Sequence, residues 1–261
     1  MPFKFWKKDK PEDRPPGSEQ ESPAPSQAVT VQVEAPAPEP PLPEAEPEPL
    51  QEASATLDPA TVVRTVHEGL VALGLTTAAT KDIFAKRAAA YPGGIEGFAE
   101  VYAAEPYRPA TEVLAGWLAL RARTDFDPEE LLAQVNPRLS SFGISIEMEG
   151  LAWLDQDLGL RKARLRLGPQ EKVARFKDPR DFLRAVNELI AARKVALVEL
   201  ETWSEDLAFL LVRDPNWEGL GATDLVVVKD PQTATGGECG ECGAKVGNHW
   251  NDCLNCGVVF G

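Results

Sequence analysis

All four cysteines of this 261-residue chain fall within its final 23 residues, as Cys239-Gly-Glu-Cys242, ten residues, then Cys253-Leu-Asn-Cys256. Each CxxC can turn tightly enough to aim both sulfurs at one point. Two such knuckles on facing hairpins complete a tetrahedral four-sulfur site, the geometry preferred by structural Zn2+. Cys239, Cys242, Cys253 and Cys256 are therefore predicted to ligate one structural Zn2+, with iron in the same cage as the alternative. Gly243 and Gly257 follow the second cysteine of each pair, where the turn can demand a positive φ that glycine adopts cheaply. A thioredoxin-like redox pair needs a single CxxC opening a helix beside a strand, and no helical pattern surrounds these. Structural disulfides do not suit a reducing compartment. His249 is surplus to a site already closed by four thiolates, so it is expected to be exposed or to stand behind the ligands. A closed site leaves no position for a reacting water, which makes the metal structural. A module this small lacks a sufficient core, so metal binding supplies most of its folding energy. Trp250 and Val258-Val259-Phe260 add what apolar packing there is.

Cys239-Gly-Glu-Cys242-Gly243-Ala244-Lys245 and Cys253-Leu-Asn-Cys256-Gly257 resemble the paired CxxCG knuckles of the bacterial zinc-ribbon family. The resemblance covers residues 237–261 and implies a zinc-ribbon fold there, in a family that carries no single function. Gly240 and Leu254 stand where the family's knuckles usually have proline.

The prolines divide the rest of the chain. Thirteen of 23 lie in residues 1–55, in a stretch built mostly of Pro, Glu, Ala, Ser and Gln. Such a segment has too little apolar surface to offset the entropy of ordering, so residues 1–55 are expected to form a disordered acidic arm. At its tip Phe3, Phe5 and Trp6 interleave with Lys4, Lys7, Lys8 and Lys10. Aromatic burial and lysine attraction can act together there in a reversible peripheral membrane contact.

Residues 56–138 read as a small helical bundle. Asp58-Pro59 opens a first helix carrying the stripe Val62, Val66, Leu70, Leu73 and ending at Gly74. Helices follow over 80–90 and 95–104. A fourth opens at Pro109 with Val113, Trp117 and Leu120 on one face, and a fifth opens at Asp127-Pro128 and ends before Pro137. His67 lies beside the first stripe and is expected to be a packed or surface residue. Residues 139–231 read as a mixed α+β sheet domain, in the order β-β-α-β-β-β. Its strands are expected at Ile144–Met148, around Leu165–Leu167, and at 195–200, 207–212 and 225–228. Its helix starts at Asp178-Pro179. The strand at 207–212 is apolar on both faces and should lie inside the sheet. The fold class expected for the whole is α+β, with the ribbon at 237–261.

Charge separates the same regions. The net charge is −14, yet residues 161–194 hold 11 basic and 4 acidic side chains, a net of +7. Within that island Arg164, Arg166, Lys172 and Arg175 can contact an anionic partner, and nucleic-acid binding through the basic segment 161–184 together with the ribbon is the alternative function. The competing view is a solvated face paired with acidic neighbours. No P-loop, HExxH or GxSxG motif is present, and Asp155/Asp157 and Glu199/Glu201 read as acidic pairs expected by chance. With no run of about 18 apolar residues and no secretory leader pattern, the expected compartment is the cytoplasm, with membrane association through the tip. The sequence thus predicts a non-enzymatic zinc-ribbon adaptor with a protein partner.

Overall fold

The computed structural model describes residues 58–260. The expected disordered arm and the membrane candidates Phe3, Phe5 and Trp6 lie outside the described residues. What is described is an α+β fold with seven α-helices and antiparallel sheets.

The caps written in the sequence form. Helix α1 (Pro59–Ala72) starts where the Asp58 carboxylate accepts from the Thr61 amide at 2.9 Å. It ends where Gly74, at φ 73°, lets the Leu75 amide reach back to the Leu70 carbonyl. Helices α2 (Lys81–Ala89), α3 (Gly94–Ala104) and α4 (Tyr107–Trp117) complete a layer on α1. His67 is packed there, its Nε2 3.2 Å from the Thr80 hydroxyl and its ring against Phe84.

Leu120 departs from expectation. It begins strand β1 (Leu120–Ala122) rather than extending α4, because pairing opposite Phe209 buries it in a sheet. Helix α5 (Pro128–Ser140) runs through Pro137 instead of stopping before it. The carbonyl that proline frees belongs to Ala133, an exposed residue, so water can satisfy it.

A three-stranded meander follows: β2 (Glu147–Asp155), β3 (Leu160–Leu167) and β4 (Gln170–Phe176). Ile144 and Ile146 are buried on the approach to β2 and do not themselves form the strand. Strand β4 has only Ala174 and Phe176 to signal its buried face among charged residues, so alternation does not reveal it.

Helix α6 (Pro179–Ile190) leads into β5 (Val195–Leu200), β6 (Leu207–Arg213), α7 (Trp217–Ala222) and β7 (Val228–Lys229). The main sheet has the order β1-β6-β5-β7, so the strand apolar on both faces is internal. Its two faces feed two cores. Leu197, Leu207 and Phe209 pack with α5, α6 and the meander, while Val198, Leu200, Ala208 and Leu210 pack under α1 to α4. Residues 56–138 and 139–231 therefore share one sheet rather than owning separate cores. Each large side chain buried there contributes about 1.5–3 kcal/mol.

Helices α5 and α6 use one device twice. Asn136 donates to the Ile146 carbonyl at 2.8 Å and accepts from its amide at 2.9 Å. Asn187 does the same to Leu197, at 2.8 Å for both bonds. A side-chain amide presents a donor and an acceptor together, so it stands in for a neighbouring strand. On β5 this fills a stretch of edge that the two-residue β7 leaves unpaired.

Candidate metal centre

The ribbon is built from two similar knuckles. Short strands β8 (Gly237–Glu238) and β9 (Lys245–Val246) pair on either side of the first. There the Cys239 amide donates to the Ala244 carbonyl and the Gly243 amide to the Cys239 carbonyl, both at 2.8 Å. The second repeats the pattern, with Cys253 to Val258 at 2.9 Å and Gly257 to Cys253 at 2.8 Å. Gly243 and Gly257 have φ of 70° and 74°, the positive values expected. Nothing stands within 4 Å of where a Cβ would sit on either, so the backbone angle rather than space calls for glycine.

The four sulfurs lie within 4.8 Å of one another, with Cys239–Cys256 and Cys242–Cys253 each 3.7 Å apart. A disulfide would need about 2.05 Å. A metal–sulfur bond of about 2.3 Å in a tetrahedron puts sulfurs about 3.8 Å apart, so the spacing fits a metal cage. Cys239 and Cys253 are buried; Cys242 and Cys256 face outward. A hydrogen bond with Asn255 and one with the Ala244 backbone draw the Cys242 thiol down to about 6. The Val258 backbone amide favours the Cys256 thiolate, but desolvation and the three neighbouring thiols push it up to about 12. Sulfurs this crowded resist sharing negative charge without a cation among them. The donor set is soft and fourfold, and it can hold a metal ion.

The cage is bolted to the body by groups the sequence did not advertise. Asp252, beside Cys253, accepts from Arg180 of α6 at 2.5 and 3.2 Å and pairs with Lys229 of β7. Lys229, whose side chain is 1% exposed, also meets Glu201 at 3.2 Å and Glu199 at 3.6 Å. Arg180 closes the ring on Glu199 at 2.7 and 2.8 Å. Burial opposes the Arg180 charge, yet Glu199 and Asp252 hold its pKa above the ordinary value. Burial pushes the Glu199 carboxyl up in spite of its cations. For Asp252, burial is outweighed by the bonds from Arg180 and Lys229, which hold it below the usual carboxylate range. Glu201 accepts from the amides of Thr202 and Trp203 at 2.9 Å and of Asn251 at 2.7 Å, tying the loop after β5 to the ribbon. Glu199 and Glu201 are thus part of a buried network and not a chance acidic pair.

Two aromatic contacts add to the dock. The Trp250 indole, 6% exposed, donates to the Val228 carbonyl at 3.1 Å. His249, exposed as expected, stacks on Tyr107 with ring centroids 3.8 Å apart. Leu254, between the cysteines of the second knuckle, lines a groove of about 610 Å³. Leu183 and Asn187 of α6, Leu197, Phe209 and Trp217 are among its other lining residues, together with charged groups such as Arg184 and Lys194.

The basic candidates sit elsewhere, on the meander. Arg164 pairs with Glu171 at 3.0 Å, and Arg166 with Glu149 at 3.4 Å and Glu171 at 3.5 Å. Lys172 pairs with Glu188 of α6. Arg175 is exposed and has no ion pair among the described residues. No helix among the described residues is long and apolar enough to cross a membrane. Compared with family models, with curated proteins and with solved structures, the chain matches none of them.

Proposed function

We propose that this chain is a non-enzymatic adaptor, in which a structural Zn2+ in the ribbon fixes part of the lining of a groove that receives a segment of a partner protein. The observation that carries the reading is Leu254: the residue between the two cysteines of the second knuckle also lines the groove of about 610 Å³. Four thiolates leave the ion no open position, so its role is to fix Cys253, Leu254 and Cys256 in place. At about 610 Å³, lined by Leu183, Leu197, Phe209 and Trp217 together with charged groups such as Arg184 and Lys194, the groove has the size of a binding cleft and offers both apolar and charged contacts. The nucleic-acid alternative is supported less, because Arg164 and Arg166 already face glutamates.

A photo-crosslinking side chain in place of Trp217 tests the reading. It should capture a protein in cells expressing the tagged full chain, and alanine at Cys253 and Cys256 should abolish capture while the folded core persists. Capture unaffected by loss of those cysteines would refute it. So would turnover of a substrate by the purified chain that a single carboxylate substitution abolishes.

A further inference from the structure

The hairpin of β2 and β3 has an unusual surface. Of seven large apolar side chains exposed among the described residues, four lie on it: Leu151, Trp153, Leu154 and Leu158, with Trp153 52% and Leu158 62% exposed. From Glu147 to Leu158 there are four acidic residues and no basic one. Glu147 and Asp157 form no ion pair among the described residues. An apolar patch that a monomer leaves in water usually marks a contact surface.

The complementary surface stands on the same sheet. Lys162 of β3 lies directly opposite Arg175 of β4, both exposed and without an ion pair among the described residues. Like charges facing each other across strands are destabilising unless an anion comes between them. Val173, 57% exposed, is two residues from Arg175 on this face. The acidic, apolar hairpin end therefore matches a patch offering two cations around an exposed valine.

We propose that the partner of this hairpin is a second copy of the chain. The Trp153–Leu158 end of each copy covers the Lys162–Val173–Arg175 patch of the other. In that contact Asp155 and Asp157 of one copy face Lys162 and Arg175 of the other. Because both halves of the contact stand on one sheet, a twofold axis makes it reciprocal and closed. Direct pairing of the two β2 edges is disfavoured. It would set Glu147, Glu149 and Asp155 against one another, and the register slips at Glu149/Ala152 and Trp153/Asp155 break the edge. The proposal uses a surface separate from the groove, so it stands or falls independently of the adaptor reading.

Sedimentation of the full chain over 1–100 µM, a range chosen to span about the affinity of modest interfaces, tests it. A species of twice 28.3 kDa is expected. D155K/D157K and K162E/R175E should each weaken association at least tenfold, and all four changes together should restore it. W153D should weaken association without charge rescue. A chain that stays monomeric overturns the proposal. So does a dimer indifferent to these substitutions, or a fourfold variant that fails to recover while remaining folded.

Discussion

Replacing Lys229 with methionine tests how far the ribbon's dock depends on buried charge. The substitution keeps the aliphatic length and removes the cation. With Lys229 and Arg180, the five-residue network carries two positive and three negative charges; without Lys229, Glu199, Glu201 and Asp252 face Arg180 alone. At an effective dielectric of about 20, the contacts at 3.2 and 3.6 Å are each worth about 5 kcal/mol of attraction. Much of that offsets the cost of stripping water from an ammonium that is 1% exposed. Breaking a buried network by removing one partner has a net cost of about 3–5 kcal/mol. For a folded region of this size, that lowers the unfolding midpoint by about 6–20 °C. Calorimetry on the metal-loaded protein reads it directly. Burial already raises the Glu199 pKa and Lys229 is one of the cations that lowers it, so without the lysine the folded value rises further above the unfolded one. The deficit should then shrink as pH falls toward about 4. K229M within about 1 kcal/mol of the parent, or a deficit that grows on acidification, would refute the reasoning.

Asn187→Ala strands the amide and carbonyl of Leu197 and should cost about 2–4 kcal/mol in urea unfolding, with Asn136→Ala doing similar damage at Ile146. Gly243→Ala and Gly257→Ala should each cost about 1 kcal/mol, read as weaker metal retention against a competing chelator, because their φ values oppose a side chain. Tyr91 donates to Glu112, and burial first, then that bond, raises its pKa above the ordinary value. A raised pKa contributes stability that is complete below the unfolded value of about 10 and is lost as pH rises beyond it. The unfolding midpoint should therefore hold steady from pH 7 to 9 and decline above about 10, and Tyr91→Phe should flatten that decline.

Local chemistry was legible where it is written in adjacent residues. Asp58-Pro59, Asp127-Pro128 and Asp178-Pro179 each announce a helix start that forms, because cap and first turn lie within four residues. The cysteine knuckles were legible for the same reason, down to the positive φ at Gly243 and Gly257. The dock was not. Arg180, Glu199, Lys229 and Asp252 come from four elements spread over more than 70 residues, and no spacing links them. Leu120 continues the α4 stripe by periodicity, and only its partner Phe209, 89 positions later, makes it a strand. The Asn136 and Asn187 devices left a faint trace, since each asparagine follows its Asp-Pro start by the same interval and bonds a residue ten positions on. An isolated asparagine, however, gives no hydrophobic signal to read.

The role proposed for the four sulfurs is to hold one ion that secures the ribbon. Elemental analysis of the full chain, purified without added metal or affinity resin carrying one, should find one zinc per chain. Chelation should release it along with four thiols that react freely with a maleimide. Substoichiometric metal, or four thiols that react equally fast before chelation, would contradict the account.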